Sequence, residues 1–146
     1  MIATTFRTVR VGDELAPFAT APISRHTLAL YCGASGDHNP IHVDIDFARK
    51  AGMDDVFAHG MLSMAYLGRL LTNWFPQHAL RSYGVRFAAI THVGDSITCA
   101  GKVLEQFEQD GEQRFRVELT TTNQDGEIKL KGEATIALPS KEGKLQ

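Results

Sequence analysis

Little in this sequence marks it for a membrane, a nucleic acid or an oxidising compartment. No apolar run approaches the length needed to cross a bilayer. The opening residues, MIATTFRTVRVGDEL, carry no apolar segment of the secretory kind. Two cysteines occur, Cys32 and Cys99, in apolar surroundings and at a separation that fits neither a zinc site nor a redox pair. They read as buried free thiols, which points to a reducing cytoplasm. Charge of one sign never accumulates: 15 Lys and Arg stand against 17 Asp and Glu, for a formal net charge of -2. That argues against the basic footprint of a nucleic-acid binder, while leaving enough cations to hold one phosphorylated ligand. Internal repeats and low-complexity segments are absent, and 146 residues suit one domain spanning 1–146.

What is present divides into a helical first half and a stranded second half. TFRTVRV reads as an edge strand. A short helix follows Pro22, with Ser24 as N-cap, Leu28, Tyr31 and Cys32 on one face, and Gly33 and Gly36 as its end. DIDFARKAG reads as a second short helix stopped by Gly52. HGMLSMAYLGRLLTNWF is the most apolar helix candidate: Met64, Leu67, Leu71 and Trp74 form a stripe with Leu70 beside it, and Met61, Leu62, Ala65 and Phe75 fall on other faces. A helix apolar on most sides belongs in the interior. Gly68 costs it about 1 kcal/mol of propensity relative to Ala, so the position marks close approach of a neighbour or a ligand. Thereafter the period changes to two. Ile97, Cys99, Gly101 and Val103 share a face, as do Phe115, Val117, Leu119 and Thr121, and then Ile128, Leu130, Ala134, Ile136 and Leu138. With YGVRFAAI ahead of them and glycine-bearing turns between, these predict an antiparallel meander of about four strands. The last residues, SKEGKLQ, read as a frayed polar tail. The expected class is α+β, an antiparallel sheet wrapped around one long helix.

The densest polar chemistry lies in SGDHNPIH. Asp37 and His42 are five residues apart, with Asn39 and Pro40 between them. A carboxylate and an imidazole suit proton transfer to and from one water molecule. Pro40 fixes its own φ and pushes Asn39 towards extended backbone, and Asn39 offers a donor and acceptors to orient a neighbour. The same residues would also make a turn with no chemistry. A metal reading stays open through His38, His42 and Asp37, with His59 as the one further ligand in view, although Pro40 disfavours a helix that would align the first two. Downstream, AHGML opens the apolar helix. Free N–H groups of a first turn point along the positive end of the helix dipole, and Gly60 has no side chain to block a ligand there. An oxyanion fits that position, and so does a glycine that only relieves crowding.

ASGDHNPIHVD followed by FAHGMLSMAYLG closely resembles the MaoC-like dehydratases, among them R-specific enoyl-CoA hydratases and bacterial 3-hydroxyacyl-thioester dehydratase subunits. VRFAAITHVGD resembles the strand and turn that follow the family's central helix, and the likeness runs from about Val9 to Leu138. One departure is visible: many relatives carry a proline before the GD pair, where this chain has Ile90, Thr91 and His92.

The resemblance implies the hotdog fold, usually as a homodimer. It matches Asp37 and His42 to the catalytic pair, Asn39 to the residue that orients them, and Gly60 to the backbone N–H that binds the thioester oxygen. His59, Met64 and Gly68 are then expected to border the substrate, the acyl chain running along the helix past Met64 and Gly68. The implied reaction is reversible hydration of a trans-2-enoyl thioester, on coenzyme A or acyl carrier protein, to the R-3-hydroxyacyl thioester, without metal or redox cofactor. Two other classes remain. A hotdog thioesterase needs a carboxylate on the central helix, and HGMLSMAYLGRLLTNW has none. A non-catalytic acyl-thioester-binding subunit would use the same tunnel.

Overall fold

Side-chain caps set where the first two helices begin. In the computed structural model, which describes residues 6–139, Ser24 accepts the Thr27 N–H and opens α1, Arg25–Ser35. Gly36, at φ 74°, closes it in the left-handed region that a side chain resists; Gly33 lies inside the helix rather than ending it. Asp44 accepts the N–H groups of Asp46 and Phe47 and opens α2, Ile45–Lys50. The long helix is α3, Gly60–Trp74.

Five strands make one antiparallel sheet: β1 Glu14–Ala19, β2 Leu80–Phe87, β3 Thr98–Gln109, β4 Glu112–Thr122 and β5 Ile128–Leu138, in the order β1-β3-β4-β5-β2. The expected meander is formed by β3, β4 and β5. Gln109 pairs with Glu112 across a two-residue turn in which Asp110 and Gly111 both take positive φ, as a tight hairpin requires. β2 departs from the meander: it crosses to the far edge and pairs with β5, Tyr83 opposite Ala134 and Phe87 opposite Leu130. The expected first strand is also displaced. Residues 6–10 form no strand; the Arg10 N–H bonds the Asp13 carboxylate in a turn, and pairing with β3 starts at Glu14. The tail 140–146 and Thr5 lie outside the described residues.

The sheet curls around α3, the hotdog arrangement. Leu67, Leu70 and Leu71 of α3 are fully buried with Leu28, Ile97, Leu119 and Ile136. Each such side chain stabilises the fold by about 1.5–3 kcal/mol. A methyl group on Gly101 would lie 3.0 Å from Leu15 Cδ1, so this glycine lets β1 close on β3. Cys99 is buried, which pushes its thiol up to about 12, whereas Cys32 is only half-buried; both are free. The expectation that α3 is covered on most sides is not met within one chain: Met61 is 52% exposed and Ala65 is exposed. Among the described residues no helix is long and apolar enough to cross a membrane.

Candidate active site

The loop after α1 is folded by its own side chains. Ser35 Oγ accepts the Asp37 N–H at 3.1 Å, Asp37 Oδ1 the Asn39 N–H at 3.3 Å, and Asn39 Oδ1 the Ile41 N–H at 3.1 Å. Pro40 then starts a single turn of 3-10 helix, Pro40–His42. Asn39 therefore acts on His42 through the backbone turn that carries it.

His42 is 8% exposed and its Nδ1 meets the Phe57 carbonyl at 2.7 Å. A carbonyl only accepts, so Nδ1 carries the hydrogen and Nε2 keeps a lone pair. Beneath it lies His59, 1% exposed, its ring stacked on His42 with centres 3.9 Å apart. His59 Nε2 meets the Asp37 carbonyl at 3.2 Å, which places its hydrogen there and leaves Nδ1 as a lone pair, buried and without a partner among the described residues. Burial first, then repulsion from His42 whenever that ring is protonated, holds His59 below the usual imidazole value, so it is neutral at neutral pH. Tyr31 packs edge-on to His59, and burial together with the Asp37 charge raises its phenol.

Ligand atoms of Asp37, His42 and His59 come within 4.8 Å of one another. His59 is thus the third group that the sequence left in view for a metal. The ring geometry does not suit one. Imidazole lone pairs lie in the ring plane, and two rings inclined by only 28° and stacked cannot both aim at one ion about 2.0 Å away. His38 is exposed and lies outside the cluster.

Directly after His59 comes the start of α3. The Ala58 N–H bonds the Thr91 carbonyl at 2.9 Å, and no side chain caps the helix, so N–H groups of its first turn are free to bind a ligand. A methyl group on Gly60 would fall 2.8 Å from Phe87 Cε1; the glycine admits that ring. A cavity of about 350 Å³ opens here, walled by Gly60, Ser63, Phe87, Ile90, Thr91 and Leu130. Ser63 and Thr91 share a buried hydroxyl contact of 3.2 Å at its floor. The wall also includes Phe57, whose carbonyl holds His42.

Asp37, His42, His59 and Gly60 are brought together; Met64 and Gly68 do not line this cavity. A methyl group on Gly68 would meet Tyr83 Cε1 at 3.3 Å, and the Tyr83 hydroxyl donates to the Met64 carbonyl at 2.6 Å. The space expected for an acyl chain beside Gly68 is filled by Tyr83. The burial of His59 makes it a support for His42 rather than a wall of the open cavity. Sequence reasoning missed Phe57, which acts through a backbone carbonyl that no side-chain pattern marks, and Tyr31, whose place on an apolar stripe reads as core. The departure at Ile90–His92 falls in the loop after β2, where Phe57 and His92 form an isolated bridge.

Residues 7–126 match the family described as MaoC like domain. A mitochondrial 3-hydroxyacyl-[acyl-carrier-protein] dehydratase of Arabidopsis thaliana is 30% identical over 90% of this chain and 79% of its own length. An (R)-specific enoyl-CoA hydratase of Rhodospirillum rubrum is 28% identical over 93% and 92%. Among solved structures, the unliganded R-hydratase of Pseudomonas aeruginosa superposes with a TM-score of 0.78 at 28% identity, covering 94% of this chain and 90% of that one. With its family signature, its hotdog architecture and these relatives in agreement, the chain belongs to the MaoC-like domain family.

Proposed function

We propose that the chain is a hydro-lyase that adds water reversibly across a trans-2-enoyl thioester, carried on coenzyme A or acyl carrier protein, to give the R-3-hydroxyacyl thioester. The observation that carries this reading is the tautomer of His42: its Nδ1–H is spent on Phe57, so the lone pair of Nε2 is free beside the Asp37 carboxylate. The two groups share the proton work. One takes a proton from water as the oxygen joins the β-carbon, and that same proton is passed through the pair to the α-carbon, so the water is added whole and the enzyme ends as it began. Charge that flows to the thioester oxygen meets the N–H of Gly60 at the positive end of α3. The cavity beside Gly60 takes the acyl group.

The working unit in this reading is the whole chain as one domain, paired as a homodimer. Two sheet edges are open, and they differ. Each carries one register shift, between Leu15 and Phe18 in β1 and between Leu80 and Ser82 in β2, but β1 is short and contains Pro17, whereas β2 runs eight residues without proline. β2 is thus the edge fit to pair with a second copy, and the apolar Met61, Phe87 and Ile90 lie exposed near it. The two free cysteines support a cytoplasmic setting.

Crotonyl-CoA tests the reaction. Loss of enoyl absorbance without free thiol is expected. Release of coenzyme A instead makes the protein a thioesterase, and no turnover of any acyl length on either carrier makes it a binding subunit.

A further inference from the structure

Lys129 is 1% exposed although it sits on β5 between residues that face the core. Burying an ammonium is costly unless each donor finds an acceptor. Here each does. Nζ donates to the Ile90 carbonyl at 2.6 Å and to Glu127 Oε1 at 2.6 Å, and lies 3.4 Å from Asp95 Oδ2. Asp95 is itself buried and accepts the His92 N–H at 2.9 Å and the side-chain amides of Asn123 and Gln124 at 3.2 Å each. Burial alone raises its carboxyl, but these hydrogen bonds and the Lys129 charge outweigh that and hold it below the usual carboxylate range.

These bonds converge on the loop between β2 and β3. Lys129 holds Ile90 and Asp95 holds His92. Between them the Thr91 carbonyl holds the Ala58 N–H at 2.9 Å, and His92 bridges Phe57. Phe57 in turn accepts from His42 Nδ1 at 2.7 Å, and Ala58 leads through His59 into Gly60. Ile90 and Thr91 also wall the cavity. A buried ion pair on β5 and its neighbouring loop is therefore tied by a short run of hydrogen bonds to both halves of the candidate site.

We propose that Lys129 and Asp95 are positioning residues: the pair clamps Ile90–His92, and the clamp sets the Phe57 carbonyl that orients His42 and the backbone that leads into Gly60. The role rests on the hydro-lyase reading above. Neither side chain touches the substrate.

The test uses the full chain, crotonyl-CoA and two variants, Lys129→Met and the double variant Lys129→Met with Asp95→Asn. The double variant removes both charges at similar volume, a replacement that buried ion pairs often tolerate. For the double variant the expected result is a melting temperature near wild type, a fall in kcat of about tenfold or more with KM changed by less than about threefold, and a moved or broadened His42 Nδ1–H proton resonance, since small misplacements of a reacting group are costly; Lys129→Met alone, which leaves the Asp95 carboxylate buried without its cation, melts lower. That resonance is assigned by its loss in His42→Gln. A folded variant with wild-type kcat and an unmoved resonance overturns the clamp. So does a loss of activity that only tracks the unfolded fraction, or failure of both variants to fold, either of which makes the pair a stability element alone. Wild-type turnover is the control: an inactive wild type defeats the hydro-lyase reading and the clamp with it, whereas an active wild type confines any failure to the clamp.

Discussion

His42 and His59 lie ring on ring, centres 3.9 Å apart and planes inclined by 28°, yet they hold their protons in opposite senses. His42 is protonated on Nδ1 towards Phe57, and His59 on Nε2 towards the Asp37 carbonyl. The stack fixes the angle of the His42 ring, and the His59 bond fixes the backbone of Asp37. One buried side chain thereby registers both members of the proposed acid/base pair. Two charged imidazoles at this spacing repel, so the arrangement works only while His59 stays neutral.

That requirement gives a pH dependence. The folded His59 titrates below its ordinary 6.5 because it is buried and faces His42. Above about 6.5 neither the folded nor the unfolded state binds its proton. Below it the unfolded chain takes up a proton that the folded chain refuses, so stability is present above that value and is lost as pH falls through the lower folded value. His59→Phe keeps an aromatic ring on His42 and removes the titration. Melting curves at pH 7.5 and 5.5 are expected to fall less for the variant than for wild type; equal falls contradict the assignment.

Asp37→Asn and His42→Gln are each expected to lower hydration of crotonyl-CoA by about 10²–10⁴-fold, the range of a positioned acid or base. The Asp37 N–H donates to Ser35 Oγ, the His42 N–H to the Asn39 carbonyl, and asparagine at 37 keeps an Oδ1 to accept the Asn39 N–H, so the loop keeps its fold and melting temperatures should stay near wild type. Turnover above about a tenth of wild type in either variant speaks against the proton-transfer role.

The sequence disclosed those parts of the molecule whose cause is local. Ser24 and Asp44 cap helices within three residues of themselves, and the Asp110–Gly111 turn closes on itself. Inward faces of β3, β4 and β5 follow from alternation. What stayed hidden depends on distant chain. Val9 and Val11, with Arg10 between them, look like part of a strand, but the turn to Asp13 intervenes. β2 has the pattern of a strand and nothing in it says that β5, forty residues on, is its neighbour. Lys129 alternates with Ile128 and Leu130 as an outward residue should, and only the loop at Ile90–Asp95 folding over it accounts for its burial. In the candidate site, Asp37, His42 and Gly60 could be singled out from side-chain chemistry and helix ends, whereas the Phe57 carbonyl that meets His42 could not.

Light scattering at micromolar concentration is expected to give twice the 16.0 kDa chain mass. The reasoning is the proline-free edge of β2 and the uncovered Met61 and Phe87. Met61→Glu, placed on that surface, should shift the protein towards monomer, because it sets a charge where apolar side chains would meet. A stable wild-type monomer with full activity removes the dimer from the reading.

Gly68 separates two uses of the space beside α3. An acyl path there predicts that a larger side chain blocks long substrates and spares short ones. The structure favours packing: Tyr83 Cε1 already lies 3.3 Å from where a methyl group would sit, and the ring is anchored by its hydroxyl bond to the Met64 carbonyl. Leucine at 68 must displace that ring, break the bond, worth about 1 kcal/mol, and overpack the contact at a further cost of about 1–3 kcal/mol. Gly68→Leu is therefore expected to lower the melting temperature and to lose activity on crotonyl and longer acyl thioesters in parallel. Tyr83→Phe is the companion: it removes the hydroxyl bond but keeps the ring, so its melting temperature should fall less and its chain-length profile should match wild type. Selective loss of long substrates by Gly68→Leu at an unchanged melting temperature returns the acyl chain to this side of the helix, with Tyr83 as a side chain that swings away to admit it.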